Sequence, residues 1–183
     1  MRRGCASGRL GDVPNASATS KRRKPVKAAP GARITPHPSL TLTISGPRAG
    51  LQRREVLRRL QAMISLLQLE KNEVSFLLTD DKNIRELNRI YRDKDRPTDV
   101  LAFAMREGDF AELAGDVLGD VVVSVETAQK QAHERRVSVL DEVTMLLAHG
   151  LLHLLGWDHD TAAKDRRMRA ETDRLCRAAR SID

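Results

Sequence analysis

Three of the chain's five histidines fall within the segment from His149 to His159. On a helix, His149 and His153 lie about 40° apart around the axis and about 6 Å apart along it, so both imidazoles can reach one ion. Gly156 follows them, and a glycine just past a helix end tolerates the left-handed conformation that reverses the chain. The spacing HxxxHxxGxxH therefore predicts that His159 returns to the two helix histidines.

Three neutral nitrogen donors at one point are typical of a catalytic zinc site, in which the fourth position stays open to water. No cysteine lies nearby to close that position. Any one of these histidines alone would more often be an ordinary hydrogen-bonded helix residue, but the three together with the glycine indicate metal binding. We therefore predict one Zn²⁺ ion per chain, with His149, His153 and His159 as its ligands. The neighbouring Asp158 and Asp160 are candidates either for hydrogen bonds to the imidazoles or for plain surface carboxylates.

The same spacing occurs in the metzincin protease motif HExxHxxGxxH, in which the glutamate is the general base. Here Gly150 occupies the position of that glutamate. Peptide hydrolysis is therefore disfavoured, although the predicted zinc helix remains metzincin-like. A zinc-dependent protease or amide hydrolase is kept as the alternative function.

The elements that must position this site follow from apolar periodicity. Ser138 and Asp141 have the spacing of a capping box that opens the histidine-bearing helix, and Gly156 should end it. Strands are predicted at residues 40–44, 74–78, 100–105 and 117–125. Further helices are predicted at residues 50–69, from about residue 80 past residue 90, at 128–136 and at 161–180.

This order of elements predicts an α/β (α+β) fold with one mixed sheet of about four strands packed against about five helices. The strand at residues 117–125 is apolar enough to be buried on both faces. The last helix is charged and carries few large apolar residues, so we expect it on the surface.

The net charge of +7 is concentrated near the N-terminus. Residues 1–50 contain ten Lys or Arg and one acid, which leaves 22 basic and 24 acidic side chains, a net charge of −2, for residues 51–183. We expect residues 1–37 to be a disordered basic extension and residues 38–183 to form one domain. Such an extension could contact RNA phosphates, be a solvated tail, be an organellar transit peptide or result from a start codon assigned too far upstream.

Two further observations concern the compartment. Cys5 and Cys176 offer no disulfide framework. No apolar stretch approaches the length of a membrane span. We therefore expect a soluble protein of the reducing cytoplasm that does not enter a membrane.

Three segments of the chain resemble motifs of the YbeY family of bacterial endoribonucleases, also called rRNA maturation factors. In the family's order, they are LNRIYRDKDRPTDVLAF from Leu87, LGDVVVSVETAQKQAHE from Leu118, and HGLLHLLGWDH from His149. The resemblance spans most of residues 40–160 and leaves out the N-terminal tail and the final helix. It departs from the family where the usual Ser-Phe-Pro reads Ala102, Phe103, Ala104, which concerns strand geometry and not the metal.

The resemblance implies a zinc-dependent, single-strand-specific endoribonuclease that acts in 16S rRNA 3′-end maturation and ribosome quality control. The implied partners are single-stranded RNA, the 16S rRNA precursor, and the 30S ribosomal subunit with its associated proteins. Carried over by position, the three histidines are the zinc ligands and Arg92 is the conserved arginine of the family's YR motif. A non-catalytic ribosome assembly factor with structural zinc is a further alternative.

The guanidinium of Arg92 offers a planar set of donors suited to phosphate, whereas an ion pair with Asp93 or Asp95 is the other interpretation. If its helix continues to residue 96, one helix face is basic, formed by Arg85, Arg89, Arg92 and Arg96. Such a face would attract RNA to a near-neutral domain; delivery of RNA by protein partners on the ribosome is the alternative.

Three more acids are candidates for the lining of the site, although turns at strand ends are the commoner place for such residues. They are Asp99, Asp116 and Asp120.

Overall fold

A computed structural model describes residues 40–105 and 115–181, which form four strands and five helices. The strands are β1 (Leu40–Ile44), β2 (Glu73–Thr79), β3 (Val100–Ala104) and β4 (Val117–Ser124). The helices are α1 (Arg53–Leu66), α2 (Asp81–Arg92), α3 (Val125–Arg135), α4 (Val139–Leu154) and α5 (Ala162–Arg180). The predicted extension at residues 1–37 lies outside the described residues, so its disorder stays a prediction.

The strands form one mixed sheet in the order β1-β2-β4-β3. The first three are parallel to one another, and β3 is antiparallel to β4 at the edge. The prediction of a mixed sheet of about four strands with about five helices is therefore confirmed. Strand β4 lies between two neighbours and is buried along most of its length, as its nearly continuous apolar run predicts.

The main core lies on one face of the sheet. Phe76 of β2 is opposite both Leu42 of β1 and Val121 of β4, so the three side chains share that face. Helices α1 and α4 cover it. Part of the opposite face is covered by α2, through a smaller cluster of Ile84, Leu101 and Val122.

Helix α4 is fixed against α1 by polar contacts as well as by the core. The buried Arg59 of α1 donates from Nη1 to Oδ1 of Asp141 at 2.9 Å and to Oγ1 of Thr144 at 3.1 Å. Burial raises the pKa of Asp141, but hydrogen bonds from Ser138 and Arg59 lower it overall. The carboxylate is therefore charged at neutral pH and holds the first turn of α4 to its neighbour.

The last helix is more buried than its sequence predicts. Helix α5 packs against both α1 and α4. The buried stripe escapes a search for large apolar residues because three of its five members are small or polar. The five residues are Met168, Thr172, Leu175, Cys176 and Ala179.

Most predicted boundaries agree with the structure to within about three residues. Helix α3 begins at Val125 and not near Ala128, because Ser124 is its N-cap and accepts the Thr127 N–H at 3.2 Å. Within residues 40–105 and 115–181, no single helix is long and apolar enough to cross a membrane, and α3 with α4 meets that test only as a pair bent by 115°.

Candidate metal centre

Helix α4 presents the first two histidines near its C-terminal end. Ser138 is its N-cap and accepts the Asp141 N–H at 3.0 Å, which confirms the predicted helix start. His149 and His153 follow on one side of the helix, and both are half-buried.

The turn after α4 returns the chain to this side of the helix. Gly156 has a φ of 79°, and its N–H donates to the His153 carbonyl at 3.0 Å while the Trp157 N–H donates to the Leu152 carbonyl at 3.0 Å. This pair of bonds is typical of helices that end at a left-handed glycine. The His159 N–H then donates to Oδ1 of Asp158 at 2.7 Å. The predicted helix stop at Gly156 is confirmed.

The three histidines meet at one point. One ligand atom from each of His149, His153 and His159 lies within 4.8 Å of the other two. Nε2 of His149 and Nε2 of His153 are 3.2 Å apart. Three imidazole nitrogens at this spacing fit a single transition-metal ion, and no thiolate takes part. The geometry that the sequence predicts is present, and its use as a metal site is a prediction that the donor set supports.

The electrostatics favour the form of the ligands that binds metal. Burial lowers the pKa of His149 and of His153, and neighbouring histidines lower both further. A backbone hydrogen bond to Trp157 acts in the opposite direction on the pKa of His153 and fixes the orientation of its ring. Both imidazoles are therefore neutral at physiological pH, as metal coordination requires.

Gly150 faces the sheet and not the histidines. A Cβ atom at this position would lie 2.5 Å from Cγ1 of Val121 and 3.2 Å from Cγ2 of Val100. Any side chain here would push α4 away from β3 and β4. A glutamate could therefore not occupy this position as a general base without moving the helix.

Arg92 lies on the same cavity as His153. The cavity measures about 400 Å³ and is lined by Arg92, Ala102, Ala104, His153, Gly156, Trp157 and Asp158. The charge of Arg92 contributes to the lowered pKa of His153, so the guanidinium is within electrostatic range of the ligands. Within the described ranges, Arg92 forms no ion pair with Asp93 or with Asp95.

The predicted basic helix face does not form. Helix α2 ends at Arg92 because Asp93 adopts a left-handed conformation, with a φ of 55°. Arg96 therefore lies beyond the helix and cannot extend the series.

Two of the predicted basic residues are also paired with acids. Arg85 makes two hydrogen bonds to Asp95, at 2.7 and 2.9 Å. Arg89 makes two to Glu86, at 2.9 and 2.6 Å. Of the three arginines on α2, Arg92 is the one that lines the cavity.

The acidic residues whose role could not be decided from the sequence lie at different places in the structure. Asp99 precedes β3, accepts hydrogen bonds from the Val100 N–H and from Gln131, and acts electrostatically on His149. It is therefore both a strand-start residue and a neighbour of the site. Asp120 lies next to Val121 in β4, so its side chain points to the opposite sheet face, where burial raises its pKa.

The three remaining acids are at exposed positions. Asp116 immediately precedes β4. Asp160 pairs with Lys164 at 2.8 Å, and Asp158 lines the cavity rim. The interpretation of Asp158 and Asp160 as surface carboxylates fits the structure better than hydrogen bonds to imidazoles.

Trp157 is a part of the site that was not predicted from the sequence. This side chain, together with Ala102 and Ala104, completes the cavity beside His153 and Arg92. Its position between Gly156 and His159 is the signal that could have identified it, because the turn that returns His159 must also bring Trp157 close to the ligands.

Comparison with known proteins agrees with the geometry. The family model described as Endoribonuclease YbeY matches residues 47–180. This range includes α5, so the expectation that the final helix lies outside the resemblance is wrong. The helix has few large residues by which to recognise it, yet it packs on the elements that carry the site.

Individual relatives share this description. The Endoribonuclease YbeY of Anaeromyxobacter sp. is 41% identical over 140 residues, covering 76% of this chain and 71% of that protein. The one of Geobacter sulfurreducens is 42% identical over 120 residues, covering 64% and 80%. Among solved structures, the solution structure of TM1509 from Thermotoga maritima matches with a TM-score of 0.55 at 23% identity, covering 76% of this chain and 88% of that one. The structural match supports the fold alone.

Proposed function

Because the chain belongs to the YbeY family of endoribonucleases, we propose that it is a zinc-dependent endoribonuclease specific for single-stranded RNA. As a member of this family, the chain is an enzyme that hydrolyses phosphodiester bonds of RNA. The proposed biological role is 3′-end maturation of 16S rRNA and ribosome quality control.

One observation carries the proposal for the chemistry: a cationic side chain and a histidine of the candidate metal centre line the same cavity. His149, His153 and His159 would hold the ion, which when bound would supply Lewis-acid polarisation of the phosphoryl oxygen and activation of the attacking water. Arg92 can donate to the non-bridging phosphoryl oxygens as negative charge develops on them. The phosphodiester would therefore lie between Arg92 and the histidines.

The protease alternative loses support at Gly150. A metzincin-like mechanism needs a carboxylate at that position, and the contact with Val121 leaves no room for one. The alternative of a purely structural zinc is disfavoured because solvent can reach the candidate ligands: His153 lines the cavity and His159 is exposed. Structural zinc sites normally close all four positions with protein ligands.

The charge distribution bears on how RNA reaches the site. Residues 51–183 have a net charge of −2, and two of the α2 arginines are neutralised by Asp95 and Glu86. Long-range attraction of RNA to this domain is therefore weak. This supports delivery of the substrate on the 30S subunit by its proteins, in the cytoplasm, over free diffusion along a basic groove.

The test combines metal analysis with cleavage of a single-stranded RNA oligonucleotide. Purified protein should hold about one equivalent of zinc, because three converging donors leave room for one ion. His153→Ala should lose both the metal and the cleavage activity. The matched control is His133→Ala, since His133 is an exposed histidine on α3 outside the cluster.

Two results would overturn the proposal. Full zinc occupancy in His153→Ala, measured by elemental analysis, would remove the three-histidine assignment. Cleavage of a peptide but not of RNA by the zinc-loaded protein would replace the endoribonuclease with the amide hydrolase.

A further inference from the structure

A partly exposed aromatic side chain lines the cavity beside the candidate metal centre. Trp157 is 37% exposed and is the chain's single tryptophan. Among residues 40–105 and 115–181, four other large apolar side chains are exposed to a similar degree or more, and none of these four lines the cavity. Leaving tryptophan partly in water forgoes a large part of the free energy that its burial would contribute.

The backbone of Trp157 is fixed relative to the candidate ligands. Its N–H donates to the Leu152 carbonyl, and its backbone also hydrogen-bonds the ring of His153. The same turn that returns His159 therefore fixes the backbone that carries the indole. An aromatic surface held at a constant place beside a metal centre is preorganised to contact part of a substrate.

The lining of the cavity separates charge from apolar surface. Arg92 supplies a cation, Ala102 and Ala104 supply small apolar side chains, and Trp157 supplies an aromatic one. The carboxylate of Asp158 also lines the cavity and repels phosphate, so Arg92 is the lining side chain whose charge attracts it. A nucleotide would thus place its phosphate toward Arg92 and its base toward Trp157.

We propose that Trp157 stacks against an unpaired base adjacent to the scissile phosphate and thereby contributes to selection of single-stranded RNA. This inference rests on the proposed function. Bases in a duplex are stacked on one another and do not offer a free face, whereas every unpaired base does. Stacking on an aromatic side chain would therefore favour single strands without reading their sequence.

Fluorescence of the single tryptophan tests the contact directly. The full chain is treated with a chelator so that RNA is not cleaved, and is then titrated with a short oligoadenylate, its duplex with oligouridylate, and an abasic oligomer of the same length. Binding of each ligand is followed independently through a fluorescent label on the ligand. We expect the single strand to quench Trp157 and the abasic oligomer to bind without quenching.

Substitutions at Trp157 test its contribution to selection. In the zinc-loaded protein, Trp157→Leu should raise KM for single-stranded RNA about tenfold or more, with a smaller change in kcat, since stacking acts on bound substrate and transition state alike. Trp157→Phe should recover most of the loss. The ratio of single-strand to duplex cleavage should fall for Trp157→Leu. The zinc content and the unfolding midpoint of this variant show whether it is folded and loaded with metal.

The outcomes separate this inference from the proposed function. Absence of any RNA binding or cleavage by the wild-type protein would overturn both. Normal cleavage with unquenched Trp157 on binding, or an unchanged KM for a folded, zinc-loaded Trp157→Leu, would overturn the stacking role alone.

Discussion

Arg92 and Arg89 lie one turn apart on the same helix, yet their surroundings give them different electrostatic roles. Arg89 is held by two hydrogen bonds to Glu86, which neutralise its charge locally. Arg92 instead lines the cavity with His153. The same residue type at neighbouring helical positions therefore contributes to helix stability in one case and is available to a substrate in the other.

Replacement of Arg92 should separate the chemical step from metal binding. Arg92→Ala should keep its zinc, because Arg92 is not among the three candidate ligands. Single-turnover RNA cleavage should become slower, by a factor that corresponds to a loss of about 2 to 4 kcal/mol of transition-state stabilisation. RNA affinity should fall less. Arg92→Lys tests whether charge suffices without the planar guanidinium.

The structure offers a matched control in Arg89→Ala. It removes the same functional group from the same helix, and we expect cleavage close to the wild-type rate, because the Arg89 charge is paired with Glu86. Wild-type cleavage by Arg92→Ala with zinc intact would show that Arg92 is structural.

At the residue scale, the sequence predicts the convergence of the three histidines better than it predicts which charged side chains are paired. The histidine cluster follows from helical spacing and one glycine, which are local properties. The state of the arginines depends on where α2 ends and on which acids lie nearby. The pair Arg85–Asp95 forms only because the chain turns at Asp93, and nothing in the arginine spacing specifies that turn.

At the scale of elements, the end of α4 connects backbone conformation to metal binding. Gly156 has a φ of 79° with nothing near its missing side chain, so the constraint there is conformational and not steric crowding. A side chain in this left-handed conformation costs about 1 to 2 kcal/mol, less for asparagine. The strain would act on the turn that carries His159.

Substitution of Gly156 should therefore weaken metal affinity in a graded series. We expect the zinc dissociation constant to rise about tenfold for Gly156→Ala, more for Gly156→Val and less for Gly156→Asn, because binding re-imposes the strained turn. The zinc dissociation constant of each variant is measured by competition with a chromogenic chelator.

Gly50 provides the control for this series. It has the same φ of 79° and open surroundings, but it precedes α1 and is not among the candidate ligands or cavity residues. Gly50→Ala should lower the free energy of unfolding by a similar amount without changing zinc affinity. An equal loss of affinity in both variants would show that general destabilisation explains the effect.

Burial that depends on packing between distant elements is the feature that could not be predicted from the sequence. The strands follow from short apolar runs and the start of α4 from the Ser138 cap, and both signals operate within a few residues. The buried stripe of α5 contains Thr172, Cys176 and Ala179, which reveal an apolar face only when α1 and α4 are in place. Likewise, position 150 requires a glycine because it lies against Val121, a residue on another element.

At the scale of the whole molecule, charge is distributed unevenly along the chain. The excess of basic residues lies within residues 1–50, while residues 51–183 are nearly neutral. From composition we predict that deleting residues 1–37 leaves the thermal unfolding midpoint nearly unchanged, since such a segment contributes little apolar burial. Scanning calorimetry of the full and shortened chains measures the difference. A large drop would show that these residues pack on the domain.

The packing of α5 on α1 and α4 links the final helix to the stability of the whole domain. The reactivity of Cys176 shows whether this helix is packed or detached. This thiol is buried on α5, and burial raises its pKa to about 11. Because the pKa is raised, the reactive thiolate is nearly absent at pH 8, and it rises to a reactive minor fraction only when the helix leaves its partners and exposes the thiol. In a Cys5→Ser variant, a thiol reagent should therefore leave the native protein unlabelled and react with Cys176 in step with global unfolding by denaturant. Labelling that precedes the loss of helical circular dichroism would instead show that α5 detaches on its own, and that the site on α4 is held without it.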